Sequence, residues 1–445
     1  LKEFLQAPNF YLVQQMRDCE VRYERLTDDF KKLFDRAKDK EVASFLKSEA
    51  VRKCISKEEE EEGKNSGRVM KCRWVLTWKD TPPDERQASQ QDAHENAGTL
   101  FTPSGDRKAK ARIVLLGYQH PDLLNPEFRS SAPVQSTLTR HLTFQLSVQN
   151  QWPIEGMDLS TAFLQTEKNQ EQNRIWTSGV RELRAALGVS EGGIMRILKD
   201  FYGSTTAPRG LWLDIDRRLR RLGAHKVLGD PCAWIWVEEN PNAVNQLDRF
   251  RTIGYMAGHV DDFNRSGDET NPKWQKIKAA IDREYQWGSS KVGAYRYVGS
   301  DIHHRTGSQG NYIMVDQDSY VENLADVELD PVRFKNAATV LTKSEIGKCR
   351  SALGALQWLA VQTQPQICAR CNLLLSELAR EPKMTVAQEI QQVIRETRKH
   401  PHRLRFDRIP SVNHWQQMVV VTMGDQAHNN RPDGSSTGGD RKSVV

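Results

Sequence analysis

The sequence predicts an α+β fold, and three observations carry that expectation. Short β-forming runs at residues 73–79, 108–117, 152–157 and 252–258 end in glycines or charged residues, as strands entering turns do. Apolar residues at helical spacing recur at 137–148 and 211–222 and fill the C-terminal third. Aspartates stand at the ends of two of the apolar runs: Asp158 in one, Asp261 and Asp262 in the other.

With 445 residues the chain has room for two or three domains and an ample core. Lys+Arg 64 against Asp+Glu 58 leaves a net charge of +6, so composition permits a nucleic-acid partner without demanding one. The longest apolar stretch, residues 352–361, is about half of a membrane span, and Leu1-Lys2-Glu3 does not open a signal peptide. The expectation is a soluble, intracellular chain with no membrane partner, and the start at Leu1 suggests a piece of something longer. The seven cysteines (19, 54, 72, 232, 349, 368 and 371) are scattered, which fits a reducing compartment. Cys368-Ala369-Arg370-Cys371 has zinc-ligand spacing but no second pair to complete a site.

Along the chain, residues 1–55 carry apolar positions such as Phe30, Leu33, Phe34 and Ala37 at helical spacing and read as exposed amphipathic helices. Glu58 to Glu62 form a charge run that reads as a linker or a solvated face. A strand at 73–79 precedes a polar stretch, 81–106, that reads as a long loop. In 108–117, Lys108, Lys110 and Arg112 share one strand face, which suits a phosphate chain or, equally, the solvated side of an edge strand. Ser136 or Thr137 caps a helix with Leu138, His141, Leu142 and Gln145 on its stripe. Residues 152–157 then deliver Asp158, which could also cap a helix over 159–164.

A further amphipathic helix buries Leu211, Ile215, Leu219 and Leu222 and turns Arg217, Arg218, Arg220 and Arg221 toward solvent or a polyanion. Thr342-Lys343-Ser344-Glu345 is a capping box, Pro365 separates a second helix over 367–380, and Thr385 caps a third that ends near His400. Together they predict a three-helix bundle. Residues 419–425 read as a last strand ending in Asp425, with a glycine-rich tail behind it.

The chemistry is carried by the aspartates. Two adjacent ionised carboxylates repel, and a third brought beside them calls for a cation. Magnesium, which binds through a few carboxylates and substrate phosphates, fits that need, and nucleotidyl transfer is the reaction class that uses it. Asp28-Asp29 shows that the dipeptide alone means little, since that pair sits in a charged helical stretch.

The order of motifs resembles the reverse transcriptase of copia-type LTR retrotransposons over residues 70–440. Lys110-Ala111-Arg112-Ile113-Val114 resembles the family's Lys-Ala-Arg-Leu-Val element, and Met157-Asp158 to Leu164 its Met-Asp-Val-Lys-Thr-Ala-Phe-Leu element. Phe201-Tyr202-Gly203 with Ala207-Pro208-Arg209 and Trp212, Asp230-Pro231-Cys232, Val260-Asp261-Asp262 and Tyr297-Val298-Gly299 follow in the family's order.

The resemblance implies a right-hand polymerase. Residues 1–60 would be an N-terminal helical or linker region, 61–135 fingers, 136–305 palm, 306–410 thumb and connection helices, and 411–445 a truncated start of a ribonuclease H-like domain. It implies that Asp158, Asp261 and Asp262 hold two Mg2+ ions, with Mn2+ as a substitute. Lys110 and Arg112 would contact the incoming triphosphate, and Phe163 would crowd the sugar 2′ position. The implied partners are an RNA or DNA template with its primer, deoxynucleoside triphosphates, and other Pol segments such as integrase and ribonuclease H. The implied setting is a cytoplasmic particle or the nucleus. With Asp425 at the first carboxylate of a ribonuclease H fold and few residues after it, no ribonuclease H activity is expected. Two departures stand in the nucleotide pocket: His259 where the family has Tyr, and Thr206 where it has Gln. They leave open a degenerate copy that binds nucleic acid without turnover; a nuclease using the same carboxylates is the third class, and it has no evident water-activating base.

Overall fold

The computed structural model describes residues 20–81, 85–168, 174–244, 246, 249–410, 420–427 and 437–444. Parts of the sequence reading that fall on residues 1–19, 411–419 and 428–436 lie outside the described residues. The chain divides into two units, Leu1–Pro133 with Thr161–Arg218, and Val134–Ser160 with Leu219–Val445.

In the first unit the helix Asp28–Ser48 buries Leu33, Phe34, Ala37, Val42 and Phe45. It packs on a two-stranded antiparallel sheet, Cys72–Asp80 with Arg107–Leu115. The second of these strands alternates as its sequence requires: Ala109, Ala111, Ile113 and Leu115 are buried, while Lys108, Lys110 and Arg112 face the other way. A mixed four-stranded sheet runs in the order Val51–Lys53, Met195–Ile197, Trp176–Thr177, Val69–Met70.

Two segments read as irregular are helical. Lys57–Asn65 forms a helix because the Ser56 side chain accepts from the Glu59 amide and the glutamates of the first turn complement the positive helix end. Arg86–Glu95 forms another within the polar stretch, and the Thr99 hydroxyl donates to Asp92 at 2.7 Å to close its C-terminal end. The helix Ala207–Arg221 buries Leu211, Ile215 and Leu219 as expected. Of its four arginines, Arg217 and Arg218 are held by Asp214, at 2.7 and 2.8 Å, and Asp214 is only 2% exposed. A buried carboxylate one turn earlier on the same helix explains these two cations.

The second unit is built on a six-stranded antiparallel sheet in the order Trp287–Val292, Ile154–Leu159, Asp262–Gly267, Phe250–His259, Asp230–Glu239, His225–Val227. The helix Thr137–Gln149 starts at its Ser136 cap but turns a different face inward than its apolar residues suggest. Arg140, Thr143, Phe144, Ser147 and Val148 are buried, and Leu138 is 39% exposed. Polar groups are tolerated there because they find partners: Ser147 and Tyr255 share a hydrogen bond of 2.8 Å, and the Gln145 amide donates to the Asp407 carbonyl.

A second sheet of four strands, Ala294–Tyr297, Ser300–Gly307, Gly310–Asp316 and Leu404–Phe406, packs Ile302, Ile313 and Val315 against Phe144 and Val148. The helices Lys343–Gln362, Cys368–Arg380 and Met384–Lys399 share a core that includes Leu353, Leu356, Leu374, Leu378, Ile390 and Ile394. Thr342 and Glu345 form the expected capping box. The third helix begins at Met384 with Lys383 as its cap, one residue before Thr385. Val420–Ala427 pairs with Thr437–Val444. Among the described residues no helix is long and apolar enough to cross a membrane.

Candidate active site

The three aspartates meet in the second unit through strand register. Phe250–His259 and Asp262–Gly267 form a tight hairpin in which His259 opposes Asp262, leaving Val260 and Asp261 as the two loop residues. The strand Ile154–Leu159 lies on the outer side of the hairpin with Asp158 directly opposite Asp262. Opposed residues on neighbouring strands project from the same sheet face, so the two carboxylates share one face. Asp261 is fixed by its carbonyl, which accepts from the Leu159 amide at 3.0 Å. Asp158 is a strand residue and caps no helix: the short turn that follows, Ala162–Gln165, has Thr161 at its N-cap.

The local backbone shows why these residues are needed. Val260 has φ of 63°, the left-handed region in which a β-branched side chain is strained. Glycine in its place relieves that strain, so Val260→Gly is expected to raise stability in urea unfolding by about 1 kcal/mol. On the far side of Asp158, Gly288 sits where the register between Trp287–Val292 and Ile154–Leu159 shifts by one residue. A Cβ there would lie 2.9 Å from an Asp158 carboxylate oxygen, so glycine keeps the space beside that carboxylate clear.

Electrostatics mark the cluster as short of positive charge. Asp158 is exposed while Asp261 and Asp262 are half-buried. Burial, with the charges of Asp261 and Asp158, pushes the Asp262 carboxyl up to about 6. Among the described residues no group of three or more His, Cys, Asp or Glu side chains is arranged to hold a metal ion on its own. Magnesium does not require one, since it keeps waters and takes one or two carboxylates plus substrate phosphates. The donor set, hard oxygens on a repelling pair of strands, fits such an ion.

Because Asp262 is harder to ionise in the fold than in the unfolded chain, its charge costs stability above about pH 6, and the cost is relieved as the pH falls toward 4. In magnesium-free buffer at pH 7.5, Asp262→Asn is therefore expected to be more stable than the parent by about 1 kcal/mol, once the water-exposed part of the carboxylate is allowed for. Adding Mg2+ is expected to raise the melting temperature of the parent more than that of the variant.

His259, the departure at the hairpin, is held below its ordinary range by burial and by the nearby Arg140 guanidinium, against the pull of Asp261. It is a neutral ring at pH 7. Arg140 is itself buried on the helix Thr137–Gln149 and donates to Gln362.

The remaining candidates lie in the first unit. Phe163 is buried in the turn Ala162–Gln165, with its ring edge-on to Tyr202 at 5.1 Å between centroids. Arg112 lies over the Tyr202 ring, 4.4 Å from its centroid. Tyr202 thus joins Arg112 to Phe163, a link that the sequence motif contained without revealing. Lys110 is on the same strand face as Arg112, opposite Thr77 in the pairing. The Thr206 hydroxyl donates to Asp200 at 2.9 Å, so its short side chain is engaged locally at the start of the helix Ala207–Arg221.

Behind the aspartates stands a pair that sequence reading missed. Arg265 is 3% exposed and donates to Glu155 at 2.8 Å and Asp282 at 2.6 Å. Arg265 and Glu155 are register partners on the two strands that carry Asp262 and Asp158. They lie three residues from the aspartates on each strand, and so on the opposite sheet face.

No family model matches the chain. It is 25% identical over 203 residues, 45% of its length, to the retrovirus-related Pol polyprotein from transposon RE2 of Arabidopsis thaliana. The corresponding polyprotein from transposon RE1 is 23% identical over 202 residues. Both of these relatives are retrovirus-related Pol polyproteins from transposons. It spans 11% of the length of each, so what the whole polyproteins do is not carried over by the match. Among solved structures, a foamy viral protease–reverse transcriptase in complex with double-stranded DNA covers 88% of this chain and 63% of its own, with 14% identity and a TM-score of 0.37. A likeness that distant places no residue.

Proposed function

We propose that this chain carries the reverse transcriptase of an LTR retrotransposon Pol polyprotein: an RNA- or DNA-templated DNA polymerase of the copia type. The observation that carries the reading is Asp158 facing Asp262 across adjacent antiparallel strands, with Asp261 immediately before Asp262 in the hairpin turn from Phe250–His259. Similarity to retrotransposon Pol polyproteins supports it independently.

In this reading Asp158, Asp261 and Asp262 would hold two Mg2+ ions. Bound there, the ions would supply Lewis-acid activation of the primer 3′-hydroxyl and neutralise charge on the leaving pyrophosphate. Lys110 and Arg112 bind the incoming triphosphate through charge-assisted hydrogen bonds. Phe163, its ring braced by Tyr202, excludes a ribose 2′-hydroxyl. His259, neutral at pH 7, presents a flat polar ring to the primer end without adding charge beside the aspartates. The first unit's basic strand would be fingers, the six-stranded sheet palm, and the three-helix bundle thumb, with the strand holding Asp425 opening a ribonuclease H-like segment. Partners on this reading are a primed RNA or DNA template, deoxynucleoside triphosphates, and the neighbouring integrase and ribonuclease H segments of the polyprotein.

A second reading, a copy that binds nucleic acid without turnover, is favoured by one observation: Thr206 spends its hydroxyl on Asp200, leaving no long amide at that position to meet a nucleotide. Deoxynucleotide incorporation on a primed homopolymer separates the two. The polymerase reading expects magnesium-dependent extension, whereas the second expects duplex binding that weakens steeply with salt and no extension at all.

A further inference from the structure

The strand Arg107–Leu115 presents Lys110 and Arg112, and it has a neighbour strand on one side only. Its other edge carries outward-pointing amides, which would fray or pair with another chain if left open. Several of them have partners from elsewhere in the chain. Ala109 donates to the Leu100 carbonyl at 2.8 Å and Leu115 to the Tyr202 carbonyl at 2.8 Å. Between them, the Ile113 amide donates to a side chain, the Glu41 carboxylate, at 3.2 Å.

Glu41 is an unusual group to find there. It lies on the buried side of the helix Asp28–Ser48, only 9% exposed, among apolar neighbours of that helix. A carboxylate costs several kcal/mol to bury unless charge or hydrogen bonds compensate, and an apolar side chain would fill the position more cheaply. Its partner is the Ile113 amide, whose hydrogen bond opposes the effect of burial on its ionisation, as do the positive charges of Arg112 and Lys110 on the strand's other face. The carboxylate therefore ties the helix to one strand position, immediately after Arg112.

We infer that Glu41 is a positioning residue for nucleotide binding: by holding the Ile113 amide from the helix Asp28–Ser48, it fixes the strand that presents Lys110 and Arg112 to the triphosphate. This rests on the reading of Lys110 and Arg112 as triphosphate contacts. It makes the helix Asp28–Ser48, which sequence alone places in a linker region, part of the nucleotide-binding machinery.

The test uses the full chain with Glu41→Ala, which removes acceptor and charge, and Glu41→Gln, which keeps a carbonyl acceptor. In primer extension, Glu41→Ala is expected to raise the KM for the deoxynucleotide about tenfold with kcat within twofold, while Glu41→Gln recovers most of the KM. A folded Glu41→Ala protein with unchanged KM, or one losing kcat alone, would overturn the inference. A second arm needs no turnover and no variant: amide exchange of the parent chain should protect Ile113 as strongly as Ala109 and Leu115, and rapid exchange at Ile113 alone would also overturn it. An inactive parent chain would contradict the polymerase reading, and the exchange arm would still decide the role of Glu41.

Discussion

Asp262→Asn is expected to cut magnesium-dependent primer extension about a thousandfold or more, while leaving the chain folded and slightly more stable without metal. The argument runs from register to charge. Asp262 shares a sheet face with Asp158 and follows Asp261 at the turn, and burial, with the charges of Asp261 and Asp158, raises its carboxyl to about 6. Asparagine has the same shape and removes one negative charge. That relieves the repulsion in the resting protein and deprives the reacting phosphates of part of their cation binding, an effect worth several kcal/mol in a two-metal reaction. Opposite signs for stability and activity are the signature of a residue kept for chemistry. A variant that lost both together would identify Asp262 as a structural residue.

Arg265→Leu is expected to destabilise the protein by about 3–5 kcal/mol, the usual cost of leaving one partner of a buried ion pair alone. Glu155 shows what would be stranded. Burial alone would raise its pKa, and hydrogen bonds from Arg265 and Ser290 with the charges of Arg265 and Lys278 hold it below the ordinary range instead. The stabilisation from a lowered carboxylate pKa is present above the unfolded value and fades as the pH falls through the folded one, so the parent should lose this contribution in acid. Glu155→Leu with Arg265→Leu removes both charges and is expected to recover most of the loss, as measured by denaturant midpoints. Because the pair staples the two aspartate strands on their reverse face, the single variant is also expected to lose extension activity beyond its loss of folded protein, through slippage of Asp158 relative to Asp262.

Much of this architecture was legible in the residues. The basic strand obeys its alternation to the residue: Ala109, Ala111 and Ile113 inside, Lys108, Lys110 and Arg112 outside. The capping box at Thr342 and Glu345 formed where the spacing put it. Polar helices were harder. Arg86–Glu95 has no apolar stripe to announce it, and the hydrogen bond that closes its C-terminal end comes from Thr99, beyond the helix. In Thr137–Gln149 the stripe held at Gln145 but not at Leu138, and Ser147 has a buried partner on another element that local spacing does not show.

Two missed features were within reach. Asp214 precedes Arg217 and Arg218 by three and four positions, the spacing at which helical side chains meet. Once Asp158 is paired with Asp262, antiparallel register alone places Glu155 opposite Arg265, since each lies three residues farther from the turn. Tyr202 was not within reach, because its contacts with Arg112 and Phe163 join three segments distant in sequence.

The most direct measurement is incorporation of a deoxynucleotide by the full chain on a primed homopolymer template with Mg2+ or Mn2+, run beside a chain carrying Asp261→Asn and Asp262→Asn. The account predicts extension that requires the metal, disappears in the double variant, and strongly favours deoxynucleotides over ribonucleotides. Incorporation no higher than that of the double variant, in a chain shown to be folded, would contradict it.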